Sequence, residues 1–237
     1  MTERIADASP QVKARIAGVF YLLVFLVAGS GFVIGGRLVV SGDAAATAAS
    51  ILAHESSFRL AAIAADVVGG ACYVVVTALF YELFKPVDRS VALAAAFFSL
   101  VGCAVGALSA VFHLAPLALL GGGQYLSVFT AQQLQAAALL LLKLYIQAQN
   151  IGLVFFGFYC LLIGYLIWRS TFLPRILGVL MMFAGVGWLT NLWAPLASSL
   201  FPYNVAPGML GEGALTLWLL AMGVNARRWN EQAGAAA

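Results

Sequence analysis

Apolar residues in this chain gather in blocks of about twenty or more, separated by short polar, proline or glycine breaks. Each block is long enough to cross a bilayer once as a helix. They cover about residues 16–40, 60–84, 91–120, 131–168, 174–196 and 207–224. Lys85-Pro86 ends the second, and Gly121, Gly122 and Gly123 break the chain after the third. The fourth is longer than one crossing needs, so its first half is expected to emerge above the membrane or lean in the interface. The pattern predicts an all-α polytopic membrane protein of six transmembrane helices. Residues 14–228 would form one membrane domain between an N-terminal tail, 1–13, and a C-terminal tail, 229–237.

Composition narrows the class. Of 237 residues, 63% are hydrophobic and 9% charged, too little charge to cover a soluble fold of this size. Sixteen Phe, eight Tyr and five Trp exclude a disordered chain. Charge then sets orientation. With the N-terminus in the cytoplasm, the inner side holds Arg4, Lys13, Arg15, Lys85, Arg89, Arg169, Arg175, Arg227 and Arg228. The outer side holds Arg37 and Arg59, and Lys143 lies in the long fourth helix. The excess predicts that both termini face the cytoplasm.

The first outer loop reads as a short Ala-rich surface helix ending near His54, with Asp43 or Ser41 as its cap and Ser56 capping the second membrane helix. The tail from Gln232 is expected to fray. Three cysteines, Cys72, Cys103 and Cys160, fall inside apolar runs at unpaired spacing and read as packing residues without a disulfide framework or metal site. The net charge of +3 is too small to suggest nucleic-acid binding. The chain has no Walker loop, no His-Glu-x-x-His and no Gly-x-Ser-x-Gly, and its two histidines have no Cys-x-x-Cys-His beside them. No catalytic residue, metal or cofactor is assigned.

Polar residues within the apolar blocks are costly and therefore informative. Asp66, Gly70, Tyr73, Thr77 and Tyr81 share one face of the second helix, and Ser99, Gly102, Gly106, Ser109 and His113 one face of the third. Such stripes should face protein rather than lipid. With the deduced orientation, Asp66, His113, Lys143, Gln147, Asn150, Asn191 and Glu212 all fall in the outer half. These seven are the candidate ligand-binding residues of an outward-opening polar cavity. Lys143 and His113 would meet a polar or anionic head group, Asp66 would set their charge states, and the Phe-rich helices would hold an apolar tail. A structural reading stands beside this one: Asp66 tethered to Lys143 or Arg59, His113 bonded to a carbonyl near Pro116, and Glu212 at a helix N-terminus. The functions open at this level are a sensor or accessory subunit binding a small amphiphile or lipid, a secondary transporter, a membrane-embedded lipid-modifying enzyme using Asp66 and His113 as an acid–base pair, and a purely structural partner. Membrane lipids are the expected surroundings, and oligomeric state is left open.

Several strings carry a family likeness. They are Gly42-Asp43-Ala44-Ala45-Ala46-Thr47-Ala48, Lys85-Pro86-Val87-Asp88-Arg89, Gln133-Leu134-Gln135-Ala136, and the stretch from Gly152-Leu153-Val154-Phe155-Phe156-Gly157 to Phe172-Leu173-Pro174-Arg175-Ile176-Leu177-Gly178-Val179. Over roughly residues 13–224 the chain resembles the bacterial membrane family catalogued as domain of unknown function 4386. The resemblance implies a six-helix protein of the bacterial inner membrane and supplies no activity. Members often carry histidine where this chain has Tyr145 and Tyr159.

Overall fold

The computed structural model describes residues 9–235, apart from the side chains of residues 32 and 34–36. Arg4 and the rest of the expected tail through residue 8 lie outside the described residues, as do 236 and 237. The described residues are helical with no strand: α1 Pro10–Leu38, α2 Ala44–Ala53, α3 Glu55–Ala62, α4 Gly69–Phe84, α5 Arg89–Leu120, α6 Ala131–Arg169, α7 Arg175–Leu189, α8 Ala194–Leu200, α9 Ala206–Ala221 and α10 Ala226–Ala235. A π-helical turn, Ile63–Val68, joins α3 to α4.

The helix starts follow polar caps in the sequence. Ser9 Oγ accepts from Val12 N, Asp43 Oδ1 from Ala46 N, Asp88 Oδ1 from Val91 N and Asn225 Oδ1 from Arg228 N. At α6, Thr130 and Gln133 cap each other's backbone reciprocally. The second membrane helix starts at Glu55 with His54 before it, so Ser56 lies inside the helix and is not its cap. The C-terminal segment is helical through Ala235 rather than frayed from Gln232.

Five helices are long and apolar enough to cross a membrane: Pro10–Gly31, Glu55–Phe84, Arg89–Leu120, Ala131–Arg169 and Arg175–Leu192. Ala206–Ala221 reaches a sixth span only together with Ala226–Ala235, from which it bends by 105°. Sixteen helical residues rise about 24 Å, which is short of a hydrocarbon core of about 30 Å.

The chain divides into two compact units, with boundaries inside α1, α4, α5 and α6. Unit 1 comprises residues 1–23, 72–103 and 151–237. In it, α6 and α7 meet at two glycine pairs seven residues apart on each helix. A Cβ on Gly164 would lie 2.7 Å from Gly178 O, and one on Gly185 2.7 Å from Gly157 O. Only glycine permits backbones this close. Thr77 Oγ1 and Ser99 Oγ, 2.6 Å apart, tie α4 to α5, and Trp229 Nε1 donates to Leu83 O at 2.8 Å.

Unit 2 comprises residues 24–71 and 104–150. Its core is Leu38, Ile51, Phe58, Leu117 and Leu142, with Val39, Leu114 and Leu120 packed against them. The buried Thr47 hydroxyl donates to Asp43 O at 2.7 Å and accepts from Val40 N at 3.0 Å, docking α2 onto the end of α1. Gly31 lets α1 approach the π-turn: a Cβ there would be 2.7 Å from Ala65 Cβ.

Candidate functional site

Unit 2 gathers one polar cluster around Asp66, which is 4% exposed and sits in the π-turn. Isolated π-turns of this kind are frequent at functional sites. Asp66 Oδ2 lies 2.7 Å from His113 Nδ1. Asp66 Oδ1 accepts from Tyr145 Oη at 3.0 Å and from Gln149 Nε2 at 2.9 Å. Gln149 Nε2 also donates to Tyr145 Oη at 3.2 Å, so its two N–H groups serve two acceptors. Tyr145 and Gln149 are one helical turn apart on α6 and present a single face.

A carboxylate in its ionised form only accepts, and with Asp66 in that form the contact requires the proton on His113 Nδ1. The imidazole is clamped by rings as well: Tyr145 stacks on it at 4.1 Å and Phe58 meets it edge-on at 5.1 Å. Phe58 belongs to the apolar core of the unit, so His113 is anchored by packing as well as by charge. His113 Nε2 has no hydrogen-bond partner among the described residues, although the residue is only 6% exposed.

Unit 1 gathers a second cluster around Glu212, buried on α9. Glu212 Oε1 accepts from Trp188 Nε1 at 2.6 Å, and Oε2 accepts from Tyr21 Oη at 2.6 Å and Tyr73 Oη at 3.2 Å. The Cys160 thiol neighbours the same carboxylate. Tyr73 sits edge-on to Tyr21 and against Phe156 and Tyr159. The donors come from α1, α4 and α7, so one carboxylate on α9 ties together four helices. Gly208, one turn before Glu212, leaves the space that the Trp188 ring fills.

The seven residues expected to share a cavity thus take different places. Asp66 and His113 bond to each other, and Glu212 has its own set of donors. Lys143 and Gln147 are exposed on α6, on the side away from Tyr145 and Gln149, and Asn150 is half-buried. Asp66 therefore pairs with His113, Tyr145 and Gln149 rather than with Lys143, and His113 bonds the carboxylate rather than a carbonyl near Pro116. Asn191 Nδ2 donates to Trp188 O at 2.9 Å, a local backbone contact. Glu212 lies well inside α9 rather than at its N-terminus. Reading α6 for its charge missed Tyr145 and Gln149. Their four-residue spacing on the face opposite Lys143 is the signal that marks them. Among the described residues no group of His, Cys, Asp and Glu is placed to hold a metal ion.

An all-helical chain with five or six membrane-length apolar spans, holding a buried Asp–His pair, defines a multi-pass membrane protein. The family described as Domain of unknown function (DUF4386) matches residues 16–223, and the chain belongs to it. No curated protein and no solved structure matches the chain.

Proposed function

We propose that this is a multi-pass protein of the bacterial cytoplasmic membrane, both termini inside, that binds a small amphiphile or lipid at Asp66 and His113 as a sensor or accessory subunit. One observation carries the reading. Asp66 Oδ2 contacts His113 Nδ1, and the opposite nitrogen, Nε2, has no hydrogen-bond partner among the described residues, with the rings of Tyr145 and Phe58 packed on the imidazole. In the neutral ring that nitrogen accepts a hydrogen bond, which suits a hydroxyl or amine head group. Half-buried Tyr145 and Gln149 border the position, and the apolar helices offer a surface for the tail. The polar candidates reduce to this pair with Tyr145 and Gln149. Lys143, exposed on the other side of α6, takes no part in this reading.

Native mass spectrometry of protein purified in mild detergent tests the proposal. The wild type should retain a lipid-sized adduct that His113→Phe loses while remaining monodisperse. An adduct of equal occupancy in both, or none in either, would sink the idea.

The 2.7 Å Asp66–His113 contact also favours a second reading, a membrane-embedded enzyme in which Nε2 takes a proton from a substrate hydroxyl. Incubating the protein with membrane lipid extract separates the two. Turnover that depends on His113 favours the enzyme, and an unchanged lipid returned intact favours binding.

A further inference from the structure

The described residues include a groove of about 830 Å³ lined by Arg169, Ser170, Thr171, Arg175, Arg228, Glu231 and a few neighbours, all within unit 1. Its walls are the turn at 170–174 and helix α10. They are stitched together by backbone and side-chain bonds. Gln232 Oε1 accepts from Thr171 N and from Thr171 Oγ1, both at 3.1 Å. Arg228 Nη1 donates to Thr171 O at 3.3 Å, and Asn225 N to Phe172 O at 3.1 Å. The turn is therefore held against α10 rather than loose.

Three guanidinium groups meet this groove, and among the described residues none of them pairs with a carboxylate. Glu231, the acidic lining residue, is engaged by Arg227 at 2.9 Å. Neutral groups orient the arginines instead. Arg169 Nη1 donates to Tyr165 Oη at 2.8 Å and lies over that ring, and Arg175 lies 5.8 Å over the Trp168 ring. Three arginines oriented by neutral groups and unpaired with a carboxylate suit an anion, and the guanidinium fork suits phosphate oxygens. The apolar surface beside it bears on the source of that phosphate. Trp168 is 44% exposed and Ile176 is 61% exposed, next in sequence to Arg169 and Arg175 respectively. A charged groove whose lining arginines neighbour exposed apolar side chains in sequence fits a molecule with a phosphate head and acyl tails. The charge bias of the sequence also assigns this end to the cytoplasmic face, where anionic lipid is attracted by basic residues.

We infer that this groove binds the phosphate-bearing head group of an anionic phospholipid. The site is separate in its residues from Asp66 and His113 and does not depend on them.

The test uses full-length protein, stripped of lipid in detergent and read by native mass spectrometry. It is titrated with phosphatidylglycerol, with phosphatidylcholine of the same acyl chains, and with glycerol 3-phosphate. Phosphatidylglycerol should be retained about tenfold or more over phosphatidylcholine. The variant R169Q/R175Q/R228Q should lose that preference, whereas R15Q/R89Q, which removes two arginines that do not line the groove, should keep it. A preference unchanged in the triple variant overturns the site, and so does an equal loss in R15Q/R89Q, which would mean diffuse attraction. Glycerol 3-phosphate binding as tightly as the lipid would overturn the lipid assignment in favour of a soluble phosphate compound. If the triple variant does not fold, R228Q alone should lower the preference several-fold, and an unchanged preference there overturns the site as well.

Discussion

Asp66 and Glu212 are both buried carboxylates in strongly apolar helices, yet their partners differ in kind. Glu212 takes hydrogen bonds from Trp188, Tyr21 and Tyr73, and among the described residues no cation pairs with it. Trp Nε1–H is a donor only, and every other group around the carboxylate is a neutral side chain. The arrangement holds four helices together through one carboxylate. Asp66 instead bonds a histidine, whose second nitrogen has no partner among the described residues. An imidazole held on one side and unpartnered on the other is the usual form of a group that accepts a proton or a ligand. One carboxylate is spent on cohesion and the other on presenting a neighbour. Burial of charge alone would not have separated them.

That contrast can be broken in order of expected effect. Glu212→Ala strands three buried donors and should cost on the order of 3–5 kcal/mol, measured by thermal or denaturant unfolding in detergent. Gly208→Ala attacks the same cluster from behind, because a methyl there collides with the Trp188 ring. It should cost about 1–3 kcal/mol and leave the lipid adduct in native mass spectra unchanged. His113→Phe keeps the ring stacking and should cost about 1–2 kcal/mol, yet it should abolish the adduct. Tyr145→Phe removes one of three hydrogen bonds to Asp66 and should cost about 1 kcal/mol, with the adduct weakened but present. If Glu212→Gln removed the adduct while His113→Phe retained it, the roles assigned to the two carboxylates would have to be exchanged.

Much of the frame was legible because membrane burial writes itself into composition. Breaks at Lys85-Pro86 and at the three glycines fall where the helices end, and Asp43 caps α2 as its residue type suggests. The stripe through Tyr73, Thr77, Ser99 and His113 is buried as expected, since polar atoms in an apolar helix must find protein partners. Other features left no local mark. The π-turn at Ile63–Val68 has no distinctive residue, so its altered register could not be read. On α6 Lys143 is the charged residue, but a lysine can lay its stem along an apolar surface and keep its charge in water, so its charge does not mark the buried face. Tyr145 and Gln149, which carry less charge, are the side chains turned to Asp66. Glu212 stands out by its charge, but its donors Tyr21 and Trp188 lie far away in sequence, and no spacing rule connects them.

The central claim is that Asp66 fixes the proton of His113 on Nδ1 and leaves Nε2 for a ligand. Histidine labelled with ¹⁵N reports this directly, because the chain has two histidines and His113→Phe assigns the second signal to His54. Spectra are compared before and after lipid is stripped by detergent. The account predicts a protonated Nδ1 that stays fixed, an unprotonated Nε2 whose shift moves on stripping, and the same behaviour in Glu212→Gln. A proton on Nε2 in place of Nδ1, or an Nε2 signal indifferent to stripping, would contradict it.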